Sequence, residues 1–75
     1  MLYNLNMDPQ ERIGKTLKKA REKLGLRQFD VAEKVGISSN YYSMIERGEK
    51  ENPGSRVITA IAKVLKLKSS DVFPL

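Results

Sequence analysis

From Ser38 to Arg47 the chain reads Ser-Ser-Asn-Tyr-Tyr-Ser-Met-Ile-Glu-Arg, a stretch that sets amides and hydroxyls among a few apolar groups. Wound as a helix at about 100° per residue, it turns Tyr42, Ile45 and Glu46 to one side and Asn40, Ser43, Met44 and Arg47 to the other, with Ser39 and Tyr41 on the flanks. That outer face can hydrogen-bond and pack, and it holds nothing that breaks bonds. The carboxamide of Asn40 pairs a donor with an acceptor, which matches the edge of an adenine in the major groove of B-DNA. The hydroxyls of Ser39 and Ser43 can bond to bases or phosphates, and Met44 can pack on a thymine methyl. No arginine stands early in the segment, so bidentate guanine reading would require Arg47 to reach in, and the face leans toward A/T-containing sites. A plainer role stands beside each of these: Asn40 as an ordinary surface amide, the serines as solvated hydroxyls, and Ser38 chiefly as a helix cap that can also face a phosphate.

Such a face is useful only if other elements hold it outward. Val31, Ala32 and Val35 fall at i, i+1 and i+4, which predicts a short helix beginning at Gln28 with one apolar face. Gly36 can take the positive φ that stops this helix, Ile37 plugs the turn, and Ser38 supplies the cap oxygen for the next one. Tyr42 and Ile45 then point back at the first helix, Tyr42 as a core residue whose hydroxyl escapes to solvent, and the small Ala32 permits a close crossing. Two short helices hinged at a glycine are the layout of a DNA-reading unit.

Around this unit the pattern predicts an all-α domain of five helices. Helix 1 runs from about Pro9 to Leu24, capped by Asp8, with Ile13, Leu17, Ala20 and Leu24 as its apolar stripe. Helices 2 and 3 form the hinged unit, the latter over about Ser39 to Arg47 and closed by Gly48. A polar loop leads to helix 4, from about Ser55 to Lys66, with Val57, Ile58, Ile61, Ala62 and Leu65 inward, and a short fifth helix covers Ser69 to Phe73. Residues 1–7 form an arm in which Tyr3, Leu5 and Met7 alternate like a short strand, and 8–75 form the domain.

These residues together resemble the lambda-repressor-like, Cro/CI-type helix-turn-helix proteins of the XRE family. The resemblance covers most of the chain and lies in the order of Ile13-Gly14, Leu17, Arg21, Leu24-Gly25-Leu26, Gln28, Val31-Ala32, Val35-Gly36-Ile37-Ser38, Ser43, Ile45-Glu46-Arg47-Gly48, Asn52-Pro53, Ile61-Ala62 and Leu65. There are four departures: Tyr42 stands where a smaller Val or Ile is usual, the loop after Gly48 runs one residue long, Lys66 replaces a common glycine, and Lys68 replaces a common capping serine. The resemblance implies a transcriptional regulator that places helix 3 in the major groove of double-stranded DNA; with no effector domain expected, regulation would come from occupying a promoter, which favours repression over activation. Gln28 then faces the phosphate backbone, where Arg27, the amides after Gly48, Lys50 and Asn52 add grip without reading sequence. It also implies that Arg21, at the edge of the helix 1 stripe, pairs with Glu46. One recognition helix makes too few contacts for tight binding, so a homodimer on a palindromic operator is expected. Its surface is expected near the C-terminus, where Val72, Phe73 and Leu75 are apolar, unless Val72 and Phe73 instead close the core of the single chain. The alternative is an interaction module of the same fold, such as the antitoxin half of a toxin–antitoxin pair.

Composition sets independent limits. With 75 residues, one domain without an effector domain is expected. The chain contains no cysteine and no histidine, which removes disulfides, thiol and imidazole chemistry and the usual zinc sites. With no nucleophile–base pair and no phosphate-binding glycine loop, an enzyme finds no support, and nothing calls for a metal or cofactor. No apolar run approaches the ~20 residues of a membrane span, and residues 1–8 lack a signal peptide's pattern, so a cytoplasmic protein is expected. The net charge of +5 favours a polyanion. Residues 1–25 hold six basic and three acidic groups, but 28–47 hold two and three, so the reading unit is not itself a basic patch. Lys15, Lys18, Lys19 and Lys23 read as the solvated face of helix 1, and the excess of Lys and Arg there is a weak signal for phosphate.

Overall fold

Asp8 begins the first helix by a reciprocal cap, its carboxylate accepting the Glu11 N–H at 2.8 Å while the Glu11 carboxylate accepts the Asp8 N–H at 3.1 Å. Pro9 follows at the first helical position, where its missing N–H costs nothing. The structure is a computed structural model that describes residues 8–50 and 53–72. These form five helices and no strand: α1 Pro9–Lys23, α2 Gln28–Val35, α3 Ser39–Glu46, α4 Ser55–Val64 and α5 Ser69–Val72. The expected arm at 1–7, together with Asn52, Phe73 and Leu75, lies outside the described residues.

The hinge forms as its residues dictate. Gly36 takes φ +88°, and the N–H groups of Gly36 and Ile37 both return to the Ala32 carbonyl, at 2.9 and 3.0 Å. Ser38 then accepts the Tyr41 N–H at 3.0 Å and starts α3. At the end of α4, Lys66 adopts φ +61°, and Leu67 donates back to the Ala62 carbonyl at 2.8 Å. A lysine thus occupies the left-handed position at which glycine is the favoured residue, and it ends the helix at Val64, short of the expected Lys66. α5 has no side-chain cap from Lys68, but the Asp71 carboxylate accepts the Lys68 N–H at 2.8 Å.

The core joins Leu17 of α1, Val31 and Ala32 of α2, Tyr42 and Ile45 of α3, Ile58, Ile61, Ala62 and Leu65 around α4, and Val72 of α5. α3 packs on α1 and α2, α2 on α4, and α5 closes α1 against α4. Three expectations need correction. Leu24 is 39% exposed, because the chain has already left the helix when it reaches that residue. Tyr42 is wholly buried, hydroxyl included, because its ring lies on the α3 face that packs into the core. Val72 is 1% exposed and belongs to the core of the single chain, so it is not on a free pairing surface. No helix among the described residues is long and apolar enough to cross a membrane.

Candidate nucleic-acid interface

Two devices hold α3 from behind. The first is steric. Gly14 of α1 lies against the last turn of α3, and a Cβ there would stand 2.7 Å from the Ile45 carbonyl oxygen and closer still to that of Glu46. Only glycine lets the two backbones approach this closely.

The second is ionic. The Arg21 guanidinium donates from Nε to Glu46 Oε2 at 2.6 Å, from Nη2 to Glu46 Oε1 at 3.1 Å and from Nη1 to the Leu26 carbonyl at 2.9 Å. The carboxamide of Gln28 adds a fourth bond, Nε2 to Glu46 Oε1 at 2.9 Å. The Glu46 carboxylate therefore ties α1 and the start of α2 to α3, and Arg21 joins the turn after α1 to the same cluster. The Arg21 and Glu46 side chains are only 11% and 2% exposed. Burial alone would push the Glu46 carboxyl up, but the hydrogen bonds led by Arg21 outweigh it and hold the group below its ordinary value. The buried Tyr42 hydroxyl sits beside this pair with no hydrogen-bond partner among the described residues. Its pKa is raised, first by burial and then by the Glu46 carboxylate.

With its inner face fixed, α3 turns Ser39, Asn40 and Arg47 to solvent and leaves Ser43 and Met44 half-exposed. Asn40 Nδ2 lies 3.9 Å from Met44 Sδ, a weak contact that leaves the carboxamide free to pair elsewhere. Arg47 is bound within the chain: Nη1 donates to the Ser43 hydroxyl, and Nη2 lies 3.0 Å from Glu49 Oε1. Tyr41 turns off the outer face toward the following loop. Its hydroxyl donates to the Pro53 carbonyl at 3.2 Å, and the Lys50 ammonium stands 5.3 Å from its ring centroid. The tyrosine thereby braces the loop that carries Lys50. Arg27 is exposed at the start of α2 and pairs with Asp30 at 3.3 Å. The Gln28 side chain is engaged inward on Glu46, while the backbone amides that open α2 have no partner within the helix.

A family model described as helix-turn-helix matches residues 17–73. The chain belongs to the XRE, Cro/CI-type helix-turn-helix family. Two curated relatives, each named HTH-type transcriptional regulator SinR, from Bacillus subtilis (strain 168) and Bacillus licheniformis, are each 34% identical over 53 residues. The match takes in 71% of this chain and 48% of each relative, so the chain spans about half the length of these regulators. Two crystal structures of the clp gene regulator ClgR from Corynebacterium glutamicum superpose with TM-scores of 0.83 and 0.81 at 29% and 28% identity. They cover 88% and 89% of this chain and 69% and 86% of theirs.

Within this XRE-family protein the structure gathers Ser38, Ser39, Asn40, Ser43, Met44 and Arg47 on or beside one face of α3. Arg27 and Gln28 stand at the start of α2, and Tyr41 and Lys50 at the loop. It also brings in two of the four helix 1 lysines, which the sequence does not separate from one another. Lys15 and Lys18 of α1 line an open groove together with Gln28, Ser43 and Arg47. Their spacing relative to Gly14 and Arg21, both of which face α3, was the available signal.

Proposed function

We propose that this XRE-family protein is a cytoplasmic, sequence-specific binder of double-stranded DNA that represses transcription by occupying a promoter, acting as a homodimer on a palindromic operator. One observation carries the reading: α3 leaves its outer amides and hydroxyls unburied while its inner face is locked by Gly14 and by the buried Arg21–Glu46 pair. A helix held this rigidly can place base-reading groups to the tolerance that direct readout needs. Asn40 then pairs with an adenine edge, Ser39 and Ser43 bond to bases or phosphates, and Met44 packs on a thymine methyl. Arg27, the amides opening α2, Lys50 and Asn52 hold the backbone and fix the register. The relatives SinR and ClgR are regulators, which agrees with this use of the fold.

Selection of bound sites from a random duplex pool tests the proposal. The expected result is an inverted repeat with A/T-leaning half-sites, centred about one helical turn (~34 Å) apart. Folded protein that enriches no sequence, and instead co-purifies with a protein partner, would make the domain an antitoxin-like interaction module.

A further inference from the structure

The groove between α1 and α3 gives the lysines of α1 unequal surroundings. Lys15 and Lys18 line it beside Ser43 and Arg47 of the recognition helix and Gln28 at the start of α2, whereas Lys19 and Lys23 do not. Residues three apart on a helix are neighbours on its surface, so the two ammonium groups form one basic edge facing α3. Carboxylates share the groove, but each is already engaged. Glu46 is held by Arg21 and Gln28, Glu49 by Arg47 at 3.0 Å, and Glu11 accepts the Asp8 N–H at 3.1 Å. No ion pair among the described residues involves Lys15 or Lys18, and both are exposed. A polyanion entering here meets two available cations and carboxylates that are already partnered.

We propose that Lys15 and Lys18 grip the phosphodiester backbone of the bound duplex. When α3 enters the major groove, the strand bordering it on the α1 side runs along this groove, with the lysines on one wall and Ser43 and Arg47 on the other. This rests on the reading of α3 as the DNA-reading helix. It extends the contact surface of each subunit from the hinged unit to α1, which supplies the positive charge that residues 28–47 lack. The contact is to phosphate alone, so it adds affinity without preference for sequence.

The test compares two double variants of equal net charge, Lys15→Gln/Lys18→Gln and Lys19→Gln/Lys23→Gln, on the selected operator and on random duplex across a series of salt concentrations. Each phosphate contact contributes about 0.9 to the slope of log affinity against log salt, which is roughly a tenfold change in affinity for every tenfold change in salt. The groove-facing pair is expected to lower the slope by about 1 to 2 and to weaken both duplexes by the same factor. The Lys19/Lys23 pair should leave the slope within error of the parent chain. Equal loss from both pairs would reduce the effect to net charge and overturn the proposal, as would an unchanged slope for Lys15/Lys18. Parent protein that binds no duplex at all would instead remove the reading of α3 and this proposal with it. Thermal melts of both variants should match the parent, since all four lysines are exposed.

Discussion

Replacing Glu46 with alanine removes the acceptor of three side-chain hydrogen bonds, two from Arg21 and one from Gln28. Arg21 would keep its bond to the Leu26 carbonyl but would remain 89% covered and without a counter-charge, going by its 11% exposure in the intact chain. Removing one member of a buried pair costs about 3–5 kcal/mol, and the retained bond places the expected loss near the lower end, about 3 kcal/mol. For a domain of this size 1 kcal/mol moves the melting temperature by roughly 4–8 °C, so Glu46→Ala should melt about 12–24 °C lower. Replacing both partners, as in Arg21→Met/Glu46→Leu, removes the stranded charge and should recover much of the loss. The pair also sets a pH dependence. Its hydrogen bonds hold the Glu46 carboxyl below its ordinary 4.5, so the stability it confers is full above about that pH and is lost as pH falls through the lower folded value. Glu46→Gln should flatten this acid limb. Thermal unfolding by circular dichroism from pH 3 to pH 7 measures both effects. A Glu46→Ala melt within a degree or two of the parent, with the acid limb unchanged, would refute the idea that the pair locks α3.

Gly14→Ala should separate α1 from α3, because the added carbon overlaps two backbone carbonyls that cannot rotate away, and a loss of about 3 kcal/mol in denaturant unfolding is expected; a loss below about 0.5 kcal/mol would show that the approach is not tight. Lys66→Gly should stabilise the chain by roughly 0.5–1 kcal/mol, the relief of a left-handed side chain less the entropy of a more flexible unfolded state; destabilisation in the same assay would contradict the strain. Sedimentation of the complex on a palindromic site should give two chains per duplex, and a one-to-one complex at saturating protein would sink the homodimer.

The hinge was legible because its signals are local. Gly36, Ser38 and the apolar spacing of Val31, Ala32 and Val35 act within one or two turns, and each took the expected conformation. The Arg21–Glu46 pair was legible through family resemblance together with the helical face that each residue occupies. What the sequence left open depends on contacts between distant elements. Tyr42 could have extended its hydroxyl to water, and only the packing of α1 and α2 over α3 buries it. Tyr41 could have stayed on the outer flank, but its partner, the Pro53 carbonyl, lies in a loop whose path no periodicity encodes. Lys15 and Lys18 cannot be told from Lys19 and Lys23 by type, and they differ only once α1 is docked beside α3.

Sequence reading by the outer face of α3 is tested most directly by titrating Asn40→Ala and Lys50→Ala against the selected operator and a random duplex, at several salt concentrations. Asn40→Ala should weaken the operator by ~1–3 kcal/mol, leave random duplex unchanged and relax the preference at one base pair. Lys50→Ala should weaken both duplexes equally and lower the salt slope by about 1. Equal losses on both duplexes for Asn40→Ala would contradict base reading by α3 and leave the helix a backbone contact alone.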